Sequence, residues 1–327
     1  MTDADVTDTT DDQKQVEIQV QPGQQLTTTV IITAYAVERL PGLRRCLDGV
    51  LANRRQADEI ILAVDNNAEV ERVAAAEYAQ RGVRVLASTG KGAVDARNTG
   101  VAASSGELIV FIDDDVRPTD DWLAAIAAPF ENDPGVVAVG GRILPEYEDG
   151  ARPVPAELLW LVGCTYAGHP EGPGPITRPI GSTMAFRKSA LEAVGGFSNA
   201  FGPVGGKKTS ANEELAISEQ LRRRFGPNSI WYQPDALVYH WVPRSRLTWR
   251  YIARRSLVEG QSKAEIRRRY GSDSMGHDSS WVTSTLLPGL GGRLARGPRP
   301  EALTMVGVGA VTAGGYAGRR LRHLAGR

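Results

Sequence analysis

The chain has 327 residues, enough for one large α/β domain or two smaller ones with ample core. It is 42% hydrophobic and 23% charged, which excludes a fibrous or wholly disordered protein, while 36 Gly and 19 Pro signal many loops. A formal net charge of zero hides an asymmetry: residues 241–327 carry sixteen Lys/Arg against five Asp/Glu, a net of +11, so residues 1–240 carry −11. A basic C-terminal quarter suits an anionic partner such as phospholipid headgroups or a phosphorylated substrate, with solvated helix faces as the plain alternative.

Residues 1–26 are acidic and rich in Thr and Gln, and are expected to be disordered. They hold no apolar h-region, so no secretory signal peptide is expected. Thr29–Thr33 then reads as a buried strand and Leu40–Asn53 as a helix with Leu43, Leu47, Val50 and Leu51 on one face. Strands at Glu59–Val64, Val83–Ala87 and Leu108–Ile112 alternate with helices at Glu69–Arg81 and Ala93–Ser104. That rhythm predicts a Rossmann-like, doubly wound and mostly parallel sheet, whose ligands sit beyond the carboxyl ends of the strands.

After the helix Trp122–Phe130 the rhythm changes. A strand at Val136–Gly140 leads into a Pro/Gly-rich connection, 145–179, holding one apolar piece, Leu158–Val162. A strand at Ser182–Phe186 follows, with helices at Lys188–Val194 and Glu213–Phe225 and two short strands, Ser229–Tyr232 and Ala236–Tyr239. The chain closes with a long Arg-rich helix, Leu247–Tyr270, and a Gly-rich remainder that includes the uncharged stretch Leu303–Gly318. Sixteen residues fall short of the roughly twenty that span a bilayer, so this stretch reads as an interfacial anchor, a buried helix or a span. Cys46 and Cys164 show no CxxC spacing, which suggests neither zinc nor a disulfide framework and fits a reduced setting.

The run Phe111-Ile112-Asp113-Asp114-Asp115 sets three carboxylates at the tip of a buried strand. Like charges side by side repel unless a cation joins them, and oxygen ligands suit Mg²⁺ or Mn²⁺ shared with substrate phosphates. The other reading is an acidic turn that caps the next helix.

Seven elements in order resemble the family 2 glycosyltransferases, inverting nucleotide-sugar enzymes of the GT-A fold, over roughly residues 28–270. They are VIITAY (30–35), Asp65, KGAVDARNTG (91–100), FIDDD (111–115), IGSTMAFRKSALEAVGGF (180–197), NEEL (212–215) and DALVYH (235–240). The resemblance implies that Thr33, Ala34 and Tyr35 seat the nucleobase and that Asp65 hydrogen-bonds it. Loop packing and a turn aspartate are the structural alternatives. Lys91 and Arg97 would neutralise donor charge, or else be helix surface cations. Asp113 and Asp114 would meet the nucleotide and ribose, and Asp115 of the Asp-x-Asp pattern the metal.

Glu214 inherits the general-base role and Glu213 a supporting one, although the family more often carries Asp there; both also suit the helix dipole. His240 matches a position that can complete the metal shell, or is structural. Gly181, Ser182 and Thr183 resemble the acceptor-side lining. Trp241, Arg244 and Arg246 suit a lid over the diphosphate, and the tail is similar to that of lipid-linked and cell-envelope members.

The expected organisation is therefore a disordered 1–26, a glycosyltransferase domain over 27–246 and a basic helical extension over 247–327. Within the domain, the nucleotide half ends near 116 and the acceptor half begins at 117. Expected partners are a nucleotide-diphosphate sugar, a glycan or lipid-linked acceptor and an anionic membrane met at its cytoplasmic face, with no nucleic acid. A sugar-phosphate nucleotidyltransferase is the first rival, but TAYAVERLPG lacks the Gly-rich basic phosphate loop it needs. A non-catalytic nucleotide-sugar binder is the second.

Overall fold

A computed structural model describes residues 24–198, 213–271, 280–295, 297 and 300–325. Its first half consists of strands β1 (Thr28–Ala34), β2 (Glu59–Val64), β3 (Val83–Ala87) and β4 (Leu108–Asp113), with helices α1 (Leu40–Leu51), α2 (Ala68–Tyr78) and α3 (Ala93–Ala103). These strands lie in the order β3-β2-β1-β4, all parallel. The order reverses between β1 and β4, the point at which such sheets open a ligand crevice. Alternation along β1 explains its burial on both faces. Val30, Ile32 and Ala34 join Leu43 and Leu47 of α1 in one core cluster, while Ile31 joins Val94 of α3 in another.

The second half holds β5 (Val116–Pro118), α4 (Trp122–Asn132), β6 (Ala138–Tyr147), β7 (Gly174–Pro175), β8 (Thr183–Arg187), α5 (Lys188–Ala193), α6 (Glu213–Phe225) and β9 (Ile230–Val242). β8 continues the sheet antiparallel to β4, then β6, β9 and β5 follow, with β7 against β9. β6 and β9 run parallel, and their register slips between Gly141 and Arg142. That slip turns the two expected strands, Ser229–Tyr232 and Ala236–Tyr239, into one. Gly141 faces Gln233 and Arg142 faces Leu237, so residues 234–236 bulge out of the ladder. Pro234, which has no N–H to give, sits in that bulge. β6 also runs to Tyr147, past the expected end at Gly140, and the apolar piece Leu158–Val162 lies in a 3₁₀ helix, Ala156–Val162.

The N-terminal residues expected to be disordered lie mostly outside the described residues, as does Asn212 of NEEL. The tail forms α7 (Trp249–Tyr270), a π-helical stretch Val282–Leu286 running into α8 (Leu287–Leu294), and α9 (Pro300–Leu324). The stretch Leu303–Gly318 lies wholly within α9, packed on α7. No helix among the described residues is long and apolar enough to cross a membrane, which removes the spanning reading for them.

The glycines of the tail have a packing reason. A Cβ on Gly260 of α7 would lie 2.0 Å from the Thr312 carbonyl, and one on Gly315 would lie 2.5 Å from the Leu257 carbonyl. The two helices therefore approach backbone to backbone. Gly260→Ala should lower stability by about 1–3 kcal/mol through overpacking. Gly314→Ala, which meets open space in mid-helix, should raise it by about 0.5–1 kcal/mol. Urea unfolding of the two variants checks the sign difference.

Candidate active site

The carboxyl ends of β1, β2 and β4 open onto a cleft of about 1200 Å³. β4 and the turn after it deliver the three aspartates. Arg39, in the helical turn that leads from β1 into α1, reaches across to them. Its Nε lies 3.0 and 2.9 Å from the two oxygens of Asp114, and its Nη2 contacts Asp114 and stands 2.9 Å from Asp115 Oδ2. Burial pushes the Asp114 carboxyl up to about 6 despite this guanidinium.

Asp115 behaves oppositely. Burial opposes its ionisation, but His240, Arg246 and Arg39 outweigh it and hold the carboxyl well below the usual range. Arg246 Nη2 lies 2.9 Å from Asp115 Oδ2, and His240 Nε2 lies 3.3 Å from the same oxygen. His240 arrives from far along the chain because Val116 of β5 pairs with it on β9.

A metal would find a partial shell here. Asp115 Oδ1 is buried and has no hydrogen-bond partner among the described residues. His240 Nε2 stands 3.0 Å from Arg246 Nη1 and 3.3 Å from Asp115 Oδ2, while Nδ1 faces Cys164 Sγ at 3.6 Å. The unpartnered Asp115 Oδ1 suits Mn²⁺ or Mg²⁺, and His240 Nε2 would add a ligand only as a neutral imidazole released from Arg246, with substrate phosphate oxygens supplying the rest. Among the described residues, no group of three or more His, Cys, Asp or Glu could hold a metal unaided.

On the far side of Asp113, Arg97 of α3 is buried. Its Nη1 donates to Glu213 Oε1 at 2.8 Å and lies 3.9 Å from Glu214 Oε1, while Nη2 is 3.6 Å from Asp113 Oδ1. Burial raises the Asp113 carboxyl, and Arg97 works against that rise. The charge of Arg97 is thus largely matched within the protein.

Glu213 and Glu214 open α6 but face different surroundings: the Glu213 side chain is 7% exposed and that of Glu214 21%. Burial, then the charge of Glu213, pushes Glu214 up to about 7, with Arg97 pulling the other way. Its Oε1 lies directly over Gly181, where a Cβ would stand only 2.0 Å away.

Of the residues singled out in the sequence, Thr33, Ala34, Tyr35, Asp65, Arg97, Asp113, Asp114, Asp115, Gly181, Ser182, Glu213, Glu214 and His240 all line this one cleft. Asp65 ties the end of β2 to the start of α3, accepting from the Gly92 N–H at 2.8 Å. Two residues stand apart. Lys91 is exposed and does not line the cleft, and its backbone N–H donates to Asp95 Oδ2 at 2.9 Å. Thr183 is buried behind the lining and accepts from Trp122 Nε1 at 2.8 Å. Arg39 was missed, although it is the one cation in the loop TAYAVERLPG between β1 and α1.

A parallel half-sheet ends in a carboxylate cluster at the head of a large cleft, the place where α/β enzymes of this topology bind their ligands. The family model for glycosyl transferase family 2 matches residues 29–195, and the chain belongs to that family. It is 28% identical over 242 residues to a glucosyl-dolichyl phosphate glucuronosyltransferase of Haloferax volcanii, covering 72% of this chain and 75% of that one. It is 30% identical over 215 residues to a pre-mycofactocin glycosyltransferase of Mycobacterium tuberculosis, covering 63% of this chain but only 42% of the relative. A mannosyltransferase from Pyrobaculum calidifontis, solved with GDP-Man and Mn²⁺, superposes with a TM-score of 0.55 at 19% identity, over 93% of this chain and 86% of that one. The protein is a glycosyltransferase of the GT-A fold, which sets aside both rivals.

Arg39→Ala should leave Asp114 buried without its partner and cost about 3 kcal/mol. The loss should be larger at pH 8 than at pH 5. A carboxyl whose folded pKa lies above its unfolded value loses stability as pH rises through that interval, and removing Arg39 extends the interval upward. Denaturant unfolding at the two pH values checks this.

Proposed function

We propose that the enzyme transfers a sugar, with inversion, from a nucleotide diphosphate to a hydroxyl of a glycan or lipid-linked acceptor. The observation that carries the reading is Glu214: a carboxylate poised near neutrality, at the lip of the cleft that holds Asp113 and Asp115. Glu214 takes the proton of the acceptor hydroxyl as that oxygen forms its bond to the anomeric carbon. The bond from that carbon to the β-phosphate oxygen breaks, and the nucleoside diphosphate leaves with the electron pair.

Glu213 holds Arg97, which in turn steadies Asp113 and keeps Glu214 from being the preferred partner of that guanidinium. Asp65, with Thr33, Ala34 and Tyr35, receives the base, while Asp113 and Asp114 face the ribose side. Lys91 is proposed to meet donor charge from the rim, and Gly181, Ser182 and Thr183 to shape the acceptor side. Asp115 and His240 would hold a divalent cation, which neutralises the departing diphosphate as a Lewis acid. The Mn²⁺ solved with the Pyrobaculum enzyme supports metal use.

A panel of UDP-, GDP- and dTDP-sugars with Mn²⁺ or Mg²⁺, scored by thermal shift and turnover, tests the reading. Turnover should vanish in EDTA, and kcat should rise with pH through about 7 as Glu214 ionises. Glu214→Gln should lower kcat by about 10²–10⁴-fold and leave donor affinity intact. If Glu213→Gln removes the pH limb instead, the base lies one residue earlier.

The enzyme is further proposed to work at the cytoplasmic face of a membrane. One side of α9 exposes Leu303 (68%), Val306 (52%), Leu321 (66%) and Leu324 (78%), a stripe at helical spacing beside the exposed Arg320 and Arg322. Such a stripe with flanking cations suits an anionic lipid surface. Leu303→Asp with Val306→Asp should abolish co-sedimentation with anionic vesicles at low salt. Wild-type protein that stays in the supernatant would overturn this.

A further inference from the structure

The cleft does not stop at the proposed donor. Its volume of about 1200 Å³ exceeds the roughly 300–1000 Å³ of a single-ligand pocket, and it continues along α7 and α9. Arg255, Lys263 and Arg267 line it from one stripe of α7, eight and four residues apart, and Arg254 lines it from an adjacent face of the same helix. At 1.5 Å per residue the row is about 20 Å long. The only acid of α7 in the lining, Glu259, is buried between Arg255 at 4.0 Å and Lys263 at 3.5 Å, so cations remain in excess. Arg267 Nη1 donates to Tyr316 OH at 3.0 Å, fastening the far end of the row to α9. Arg255 sits close enough to Glu214 to favour its ionised form, so the row starts beside the proposed base.

The rest of this part of the cleft is apolar. Leu158 and Val308 belong to a separate hydrophobic cluster that Leu286 packs against, and Val282 and Leu287 line the cavity beside them. Trp281 frames the same wall, with its Nε1 donating to the Ala167 carbonyl at 2.8 Å. Cations and hydrocarbon thus share one continuous cavity that begins at the catalytic carboxylates. A free sugar would use neither feature.

We infer that this extension is the acceptor site for a saccharide carried on a long-chain lipid phosphate, with the α7 cations holding the phosphate and the Leu286–Leu287–Val308 wall the hydrocarbon. The inference rests on the glycosyl-transfer reading and deepens it by naming the acceptor class. A phosphate on the row leaves the saccharide to reach back toward Glu214.

The test uses the full chain in an uncharged maltoside detergent with three probes: a polyisoprenyl phosphate, the corresponding polyisoprenol and a short C5 isoprenyl phosphate. Wild type should bind the long phosphate at least about 10-fold more tightly than either other probe. Arg254→Glu should weaken the long phosphate by about 10-fold or more and leave the polyisoprenol unchanged, whereas Arg254→Lys should retain most of the affinity. Leu287→Ser, at an exposed lining position, should weaken both long-chain probes but not the C5 phosphate.

Equal binding of phosphate and alcohol, or an Arg254→Glu variant that binds the phosphate like wild type, overturns the inference. A C5 phosphate that binds as well as the long chain makes the ligand a soluble phosphorylated glycan and overturns the lipid assignment. Donor turnover into water, measured separately on wild type, reports on the glycosyl-transfer reading itself, so the two can fail independently.

Discussion

Three adjacent carboxylates, two of them with little access to water, are what the residues around this site answer to. At an effective dielectric near 20, two unit charges about 4 Å apart repel by about 4 kcal/mol. The protein meets this by giving each aspartate its own counter-group: Arg97 for Asp113, Arg39 for Asp114, and Arg246 with His240 for Asp115. The three then separate in acidity. Asp114 is pushed up to about 6, whereas Asp115 is held low and stays ionised. Differentiation of this kind marks sites where environment assigns roles to identical groups.

That requirement explains the convergence of distant segments. Arg39 comes from the turn after β1, Arg97 from the first turns of α3, and His240 and Arg246 from the end of β9 and the turn beyond it. The short β5 ladder is the device that brings the last two in. Asp115 immediately precedes Val116, which pairs with His240, and the Trp241 N–H donates to the Asp115 carbonyl at 2.9 Å. The bulge at 234–236 sets the register of that ladder relative to β6. A one-residue slip would turn His240 to the opposite face of the sheet.

Much of the first half was legible because its signals are local. β2 and β3 fall where short apolar runs place them, and helix ends differ by one to three residues, the largest difference where the 3₁₀ turn Ala79–Arg81 replaces the last α-turn. The second half was less legible because its register depends on pairing. Nothing local in Gln233-Pro234-Asp235 says that one strand continues across it. The aspartates, Glu213, Glu214 and His240 were visible as residue types in order, but Arg39 was not. An arginine in a loop has no periodic signal, and its value comes only from the approach of α1 to the turn after β4. Lys91 lies outside the cleft lining for a reason its sequence neighbours do not signal: it stands exposed in the bend before α3, its N–H bonded to Asp95.

The cleft has two kinds of wall, and they divide the work. Strand ends and the first turns of α3 and α6 form the wall proposed for the donor, where backbone ladders and buried ion pairs leave the carboxylates little freedom. Two helices joined through Gly260 and Gly315 form the other wall, and their contact is backbone to backbone. Larger residues at those glycines would force α9 away from α7 and widen the cleft between Lys263 and Tyr316, both of which line it. The glycine content of the tail therefore does more than loosen the chain. It sets the width of the space proposed for the acceptor, which ends at the carboxylates of β4 and α6.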